Sequence, residues 1–280
     1  MSRVIDAHHH LWRYTSKDYD WIDDSMATLQ RDFLAADLAV AVKAAQVDTT
    51  IAVQARQTIE ETLWLLDLAA AHSIISGVVG WVPLIDTGVS KSLEELTGRH
   101  NLRGVRHVLQ AEPNEYMLSP AFQRGIGLLN NFGLAYDLLI HERQLTSVIQ
   151  LIDQHPDQVF ILDHVAKPLI HSGEMQPWAR LIAQLAERPN VYCKISGMVT
   201  EADWQTWSPE TLQPYIDVVL EAFGPRRLMY GSDWPVCLVA SSYGRWIGTM
   251  RAAISSLSPE EQSWIMGRTA EQAYNLSEEN

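Results

Sequence analysis

Residues 4–14, "VIDAHHHLWRY", carry the reading of the fold. Val4 and Ile5 open an apolar run that ends in three histidines behind Asp6, as a buried strand ends at a polar rim. In an extended strand successive side chains take opposite faces, so His8 and His10 share a face with Asp6 and His9 takes the other. Two imidazoles at i and i+2 can converge on one metal ion, because each offers a neutral nitrogen to a borderline-soft cation. A pair of hydrogen-bonded interior histidines is the other reading of the same spacing. A purification tag would be longer and would lie outside the fold.

The same pattern recurs downstream. After "VIDAHH" (4–9) come "TIAVQAR" (50–56), "SGVVGWVPL" (76–84), "LRGVRHVL" (102–109) and "LAYDLLI" (134–140). "QVFILDHV" (158–165), "VYCKIS" (191–196) and "RLMYGSDW" (227–234) complete the series. Between them lie stretches such as 58–72 and 143–155, whose apolar residues fall at i, i+3, i+4 and i+7. Ser119-Pro120 and Ser208-Pro209 read as an N-cap followed by proline in the first turn. Strands alternating with helices and apolar on both faces imply a parallel sheet. Eight of them close a single-domain (β/α)8 TIM barrel, an α/β fold that needs about 250 residues. A doubly wound open sheet is the runner-up, but its Gly-rich phosphate turn is missing: "GIGLLN" (125–130) sits within a helix-like segment. We expect one domain over 1–280, with a long loop, residues 11–31, over the site. Its Trp12, Tyr14, Tyr19 and Trp21 either wall the pocket or pack on the rim.

Composition excludes several classes. A net charge of −13 denies the chain the basic footprint that nucleic acid or an anionic membrane requires. No apolar run approaches the ~20 residues of a membrane span. Cys193 and Cys237 are too few for a disulfide framework and too far apart for a C-x-x-C pair, which points to a reducing cytoplasm. Association into an oligomer is open.

In a (β/α) barrel the site lies at the C-terminal ends of the strands. Here those ends carry His8 and His10, Gln54 and Arg56, Arg106 and His107, Asp137, Asp163 and His164, Lys194 and Ser196, and Ser232 and Asp233. His8, His10 and Asp233, from strands that meet when the barrel closes, supply two nitrogens and one oxygen. That set suits a catalytic metal with one open position.

"DAHHHLW", "DHVAKP", "CKISGMVTEADW" and "YGSDWP" resemble, in order and over essentially the whole chain, the amidohydrolase superfamily. The similarity is to its amidohydrolase 2 group of lactonases, nearest the L-fuconolactonase and L-rhamnonolactonase type. The resemblance implies that His8, His10, His164 and Asp233 occupy the superfamily's strand-1, strand-6 and strand-8 positions. Two departures matter. Arg106 and His107 stand where a bridging lysine is usual, and Tyr136-Asp137 where a strand-5 histidine is usual. One divalent ion, zinc or similar, or metal-independent catalysis, is therefore implied rather than a two-metal centre.

The expected reaction is hydrolysis of a small sugar-acid lactone. Asp233 acts as general base on water, and any ion on His8, His10 and Asp233 lowers the pKa of bound water toward ~7. His164 donates to the carbonyl oxygen, while Arg106 or Lys194 faces the developing oxyanion. Gln54, Arg56, Trp81, Arg106, His107, Asp137 and Trp234 are the candidate substrate contacts. For Arg56, Arg106 and Lys194 the competing role is that of internal salt-bridge partners. An isomerase or a metal-dependent decarboxylase on the same barrel is the alternative activity.

Overall fold

The structure, a computed structural model, describes residues 3–276; the ends of the expected domain, 1–2 and 277–280, lie outside the described residues. Every apolar run singled out above forms a strand: β1 (Ile5–His9), β2 (Thr49–Val53), β3 (Ile75–Gly80), β4 (Leu102–His107), β5 (Ala135–Leu138), β6 (Phe160–Leu162), β7 (Val191–Ile195) and β8 (Leu228–Tyr230). They form one parallel sheet in sequence order, with helices in the crossovers. "GIGLLN" falls in the helix Pro120–Leu129 and the turn after it, so the open-sheet alternative is set aside. Ser119 caps that helix at the amide of Phe122, and Ser208 precedes the helix Pro209–Phe223.

The barrel closes where the chemistry was expected. Asp233 N donates to His8 O at 2.8 Å and His10 N to Trp234 O at 2.6 Å, so the segment after β8 is sewn to the end of β1. The β1–β2 register shifts between Asp6 and His9, and His8, within the shift, and His10, beyond it, emerge on a common side. Ile5, Ile51, Val53, Val79, Ala135, Ile161 and Met229 fill the barrel interior. Ala270, Ala273 and Tyr274, from the last helix and the residue after it, cap its floor. A larger apolar layer lies between strands and helices. Among the described residues no helix is long and apolar enough to cross a membrane.

Candidate active site

Four side chains meet at the C-terminal mouth of the barrel: His8, His10, His164 and Asp233, each no more than 5% exposed. His8 Nε2 lies 3.2 Å from His10 Nε2. Asp233 Oδ1 lies 3.4 Å from His10 Nε2, 3.7 Å from His8 Nε2 and 4.0 Å from His164 Nε2. The hydrogen bonds behind the rings orient them. His10 Nδ1 stands 2.8 Å from Val53 O, an acceptor only, so it donates there, and its Nε2 faces the cluster. His8 Nδ1 lies between Lys194 Nζ at 3.2 Å and Asp163 Oδ1 at 3.3 Å, which fix the orientation of its ring. Tetrahedral zinc, with bonds near 2.0–2.1 Å, holds ligand atoms about 3.3–3.4 Å apart. The His8, His10 and Asp233 separations bracket that edge, so the donor set fits a single divalent ion.

Charge points the same way. Burial pushes His8 well below the usual imidazole range and His164 down to about 4, so both rings are neutral near pH 7. Burial raises Asp233, but His164, the hydrogen bond with His10 and the Lys167 charge outweigh it and hold the carboxyl below its ordinary value. Among the described residues the only partners within 4.0 Å of this carboxylate are the three histidines. The Lys167 charge acts on it from beyond 4.0 Å, so it is a buried anion without a paired cation.

Beneath the cluster the charges are matched. Arg106 Nη1 bonds Asp163 Oδ2 at 2.9 Å and stands 3.4 Å from His8 Nε2, and its other amino group donates to Gln54 O. Lys194 Nζ lies 2.5 Å from Asp137 Oδ2, 3.0 Å from Asp163 Oδ1 and 3.2 Å from His8 Nδ1. Tyr274 Oη donates to both oxygens of Asp137 at 2.7 and 2.9 Å. Two cations thus compensate two carboxylates that burial alone would disfavour. Burial works against the Asp163 anion, yet Lys194, His8 and Arg106 hold its carboxyl well below the usual range; burial prevails at Asp137 and lifts it to about 6. Lys194 and Asp137 are fully buried under His8, and neither lines the cavity. The salt-bridge role left open for Arg56, Arg106 and Lys194 is the one each plays here, Arg56 with Asp18 at 2.9 Å.

Above the cluster opens a cavity of about 690 Å³. His10, His164 and Asp233 form its base, with Arg56 and Arg106 on one side. Several expected contacts lie elsewhere. Trp81 donates to His107 Nδ1 at 3.2 Å, and His107 stacks on Tyr116, so both are spent on packing behind the sheet. Trp234 packs edge-on against Phe33, and Gln54 donates to Arg106 O at 3.2 Å. None of these four lines the cavity. Of the loop aromatics, Trp12, Tyr14 and Tyr19 pack together and only Trp21 reaches the cavity wall, where Lys17, Asp18 and Asp20 join it. Sequence reasoning passed over Lys167, Glu201 and Trp204, which line the wall facing that loop. Their signal was present in "DHVAKP", directly after β6, and in "TEADW", in the segment that follows β7, but roles there went only to the histidine.

The backbone at the base is strained. Asp233 has φ 56°, and His164, Val165, Ala166 and Lys167 follow one another at φ 53°, 47°, 63° and 50°. Left-handed non-glycine residues cost about 1–2 kcal/mol each, and a β-branched valine there is a clear outlier. The turn is held from outside: Trp178 Nε1 donates to Val165 O at 2.8 Å, and His164 Nδ1 meets Ser196 Oγ at 2.8 Å. Gly197, itself at φ 62°, leaves room for the ring, since a Cβ there would fall 2.6 Å from His164 Nδ1. Such strain concentrates at functional sites.

Comparison with known proteins agrees with this geometry. A family model described as Amidohydrolase matches residues 5–276. An L-fucono-1,5-lactonase of Burkholderia multivorans is 39% identical over 98% of this chain and 96% of its own length. An L-rhamnono-gamma-lactonase of Scheffersomyces stipitis is 25% identical over 70% of this chain and 67% of its own length. The crystal structure of an amidohydrolase from Burkholderia multivorans with bound zinc superposes with a TM-score of 0.96, at 38% identity, covering 99% of this chain and 100% of that one.

Proposed function

The chain belongs to the amidohydrolase family, and on that premise we propose that it hydrolyses a sugar-acid lactone of the L-fucono- or L-rhamnono-lactone kind to the open-chain aldonate. One observation carries the reading: an ionised carboxylate, Asp233, with no cation paired to it, stands at the base of a cavity of about 690 Å³ beside a neutral histidine. The related lactonases supply the substrate class.

Asp233 accepts a proton from water as the oxygen adds to the lactone carbonyl carbon. It returns that proton to the ring oxygen when the C–O bond of the lactone breaks, a role worth typically 10²–10⁴-fold. His164, oriented by Ser196, presents Nε2 toward the same reacting region. Arg106 lines the cavity and places positive charge near the developing oxyanion. Lys194, Asp137 and Asp163 act from below by fixing His8 and balancing Arg106. His8, His10 and Asp233 would hold a divalent ion, which supplies Lewis-acid charge and a more acidic water when bound. A lactone suits this set, because its carbonyl is activated and its leaving group is an alkoxide. Reducing cytoplasm suits the chain, whose two cysteines are free and buried.

The test is an indicator assay with L-fucono-1,5-lactone, reading one proton released per turnover, before and after chelation. Robust amide hydrolysis with no lactone turnover overturns the assignment.

A further inference from the structure

The charged residues lining the cavity balance. Lys17, Arg56, Arg106 and Lys167 face Asp18, Asp20, Glu201 and Asp233, four cations against four carboxylates. Three of the cations are engaged: Arg56 with Asp18 at 2.9 Å, Arg106 with Asp163 at 2.9 Å, and Lys167 with Glu201 at 3.5 Å. The fourth, Lys17, is exposed on the outer loop. To gain any cation other than the exposed Lys17, a substrate carboxylate would have to break an existing pair. A neutral polyol has no such need.

The Lys167–Glu201 pair is the best placed to read one. Its 3.5 Å separation is wider than a tight hydrogen bond, and the two side chains keep 19% and 24% of their surface open. An ammonium that donates beside a carboxylate that accepts matches two neighbouring hydroxyls of one ring, each of which is both donor and acceptor. The pair is held in register from both sides. Lys167 ends the left-handed turn that begins at His164, and the Glu201 carbonyl accepts from His171 N at 2.9 Å, joining the segments after β6 and β7. Beside them Trp204 lines the same wall, its indole fixed by donation to Thr200 O at 2.9 Å, an apolar face for the C–H side of a sugar.

We propose that Lys167 and Glu201 form the specificity-determining subsite of this cavity. They bind vicinal hydroxyls of a neutral lactone, and their mutual neutralisation rejects lactones that carry a carboxylate. The inference rests on the lactonase reading above and names which lactones that site accepts.

The experiment compares kcat/KM for L-fucono-1,5-lactone and for a monolactone of an aldaric acid in the wild type, Glu201→Gln and Lys167→Met. The wild type favours the neutral lactone. Glu201→Gln frees the ammonium while keeping the shape, and the anionic-to-neutral ratio rises about tenfold or more, by an amount that shrinks as salt is added. Lys167→Met raises KM for the neutral lactone about tenfold, with a smaller change in kcat, and lowers the ratio further. Because the ratio is internal to one preparation, a partly unfolded variant leaves it unchanged. Ratios equal to wild type in both variants overturn the subsite while leaving the lactonase intact. A wild type that turns over neither lactone overturns the lactonase reading itself.

Discussion

Replacing Gly197 by alanine tests whether the position of His164, rather than its mere presence, matters. Two penalties attach to the substitution. The first is local: φ at Gly197 is 62°, and a left-handed alanine costs about 1 kcal/mol. The second is a collision, since the new Cβ would sit 2.6 Å from His164 Nδ1 and 3.0 Å from its Cβ, where ordinary contact begins at 3.4 Å. The ring must retreat by about 0.8 Å, the difference between those two distances. It cannot do so freely, because Ser196 and the Trp178–Val165 bond pin its turn. A displacement near 1 Å in a catalytic group costs on the order of 10²-fold in rate. Gly133→Ala is the control: it shares the left-handed backbone at φ 65° but has nothing within 4 Å of the new methyl. Both variants should lose about 1 kcal/mol of stability or somewhat more in thermal melts. Only Gly197→Ala should lose about 10²-fold in kcat/KM on L-fucono-1,5-lactone. Equal activity in the two would falsify the placement of His164 at the reacting centre.

Other perturbations follow from the same geometry. Asp233→Asn keeps the shape, and asparagine tolerates φ 56°, so fold and melting temperature should hold while turnover falls by 10²–10⁴-fold or more; wild-type turnover would name another base. One equivalent of zinc or a similar ion should bind, and adding it to stripped protein should raise the melting temperature, an effect absent in His10→Ala. Two ions by elemental analysis would contradict the mononuclear reading. A stability effect is expected at Glu61, a buried carboxyl that accepts from Ala55 N and Arg56 N and is lifted by burial from 4.5 to about 7. The native state holds this proton where the unfolded chain releases it, so stability falls as pH rises from 4.5 to 7, by about 3 kcal/mol for this group. Glu61→Gln lacks the titration, and the wild-type-minus-variant difference in unfolding free energy should fall by that amount across the window; parallel profiles would exclude it.

The fold was legible because its signal is periodic and repeated. Each buried strand of a parallel barrel is a short apolar run with its polar residue at the C-terminal end, and "VIDAHHH" and "YGSDWP" declare both strand and site. The site's centre was legible for the same reason: His8, His10, His164 and Asp233 all follow the last apolar residue of a strand. Depth was not legible. A polar residue at a strand end points up into the cavity, as His10 does, or down into the barrel, as Lys194 and Asp137 do, and one residue of register decides it. The outer wall was harder still. Lys167 and Glu201 owe their places to a left-handed turn and a loop tie, and neither leaves a period in the sequence.

That difference in depth also separates two kinds of buried charge. Arg106, Lys194, Asp163 and Asp137 neutralise one another, so removing any single member strands its partner in a dry interior, a change that costs several kcal/mol. For Lys194, Asp163 and Asp137, which do not line the cavity, the role is structural support, and their loss should appear first as instability. Asp233 is the reverse case. Its carboxylate is buried without a matching cation, on a strained backbone, beside two rings that burial keeps neutral. The surrounding groups hold it ionised, but Lys167 is paired with Glu201 rather than with it. A bound cation or a proton taken from water would neutralise it directly, and the base of this cavity is placed to receive one or the other.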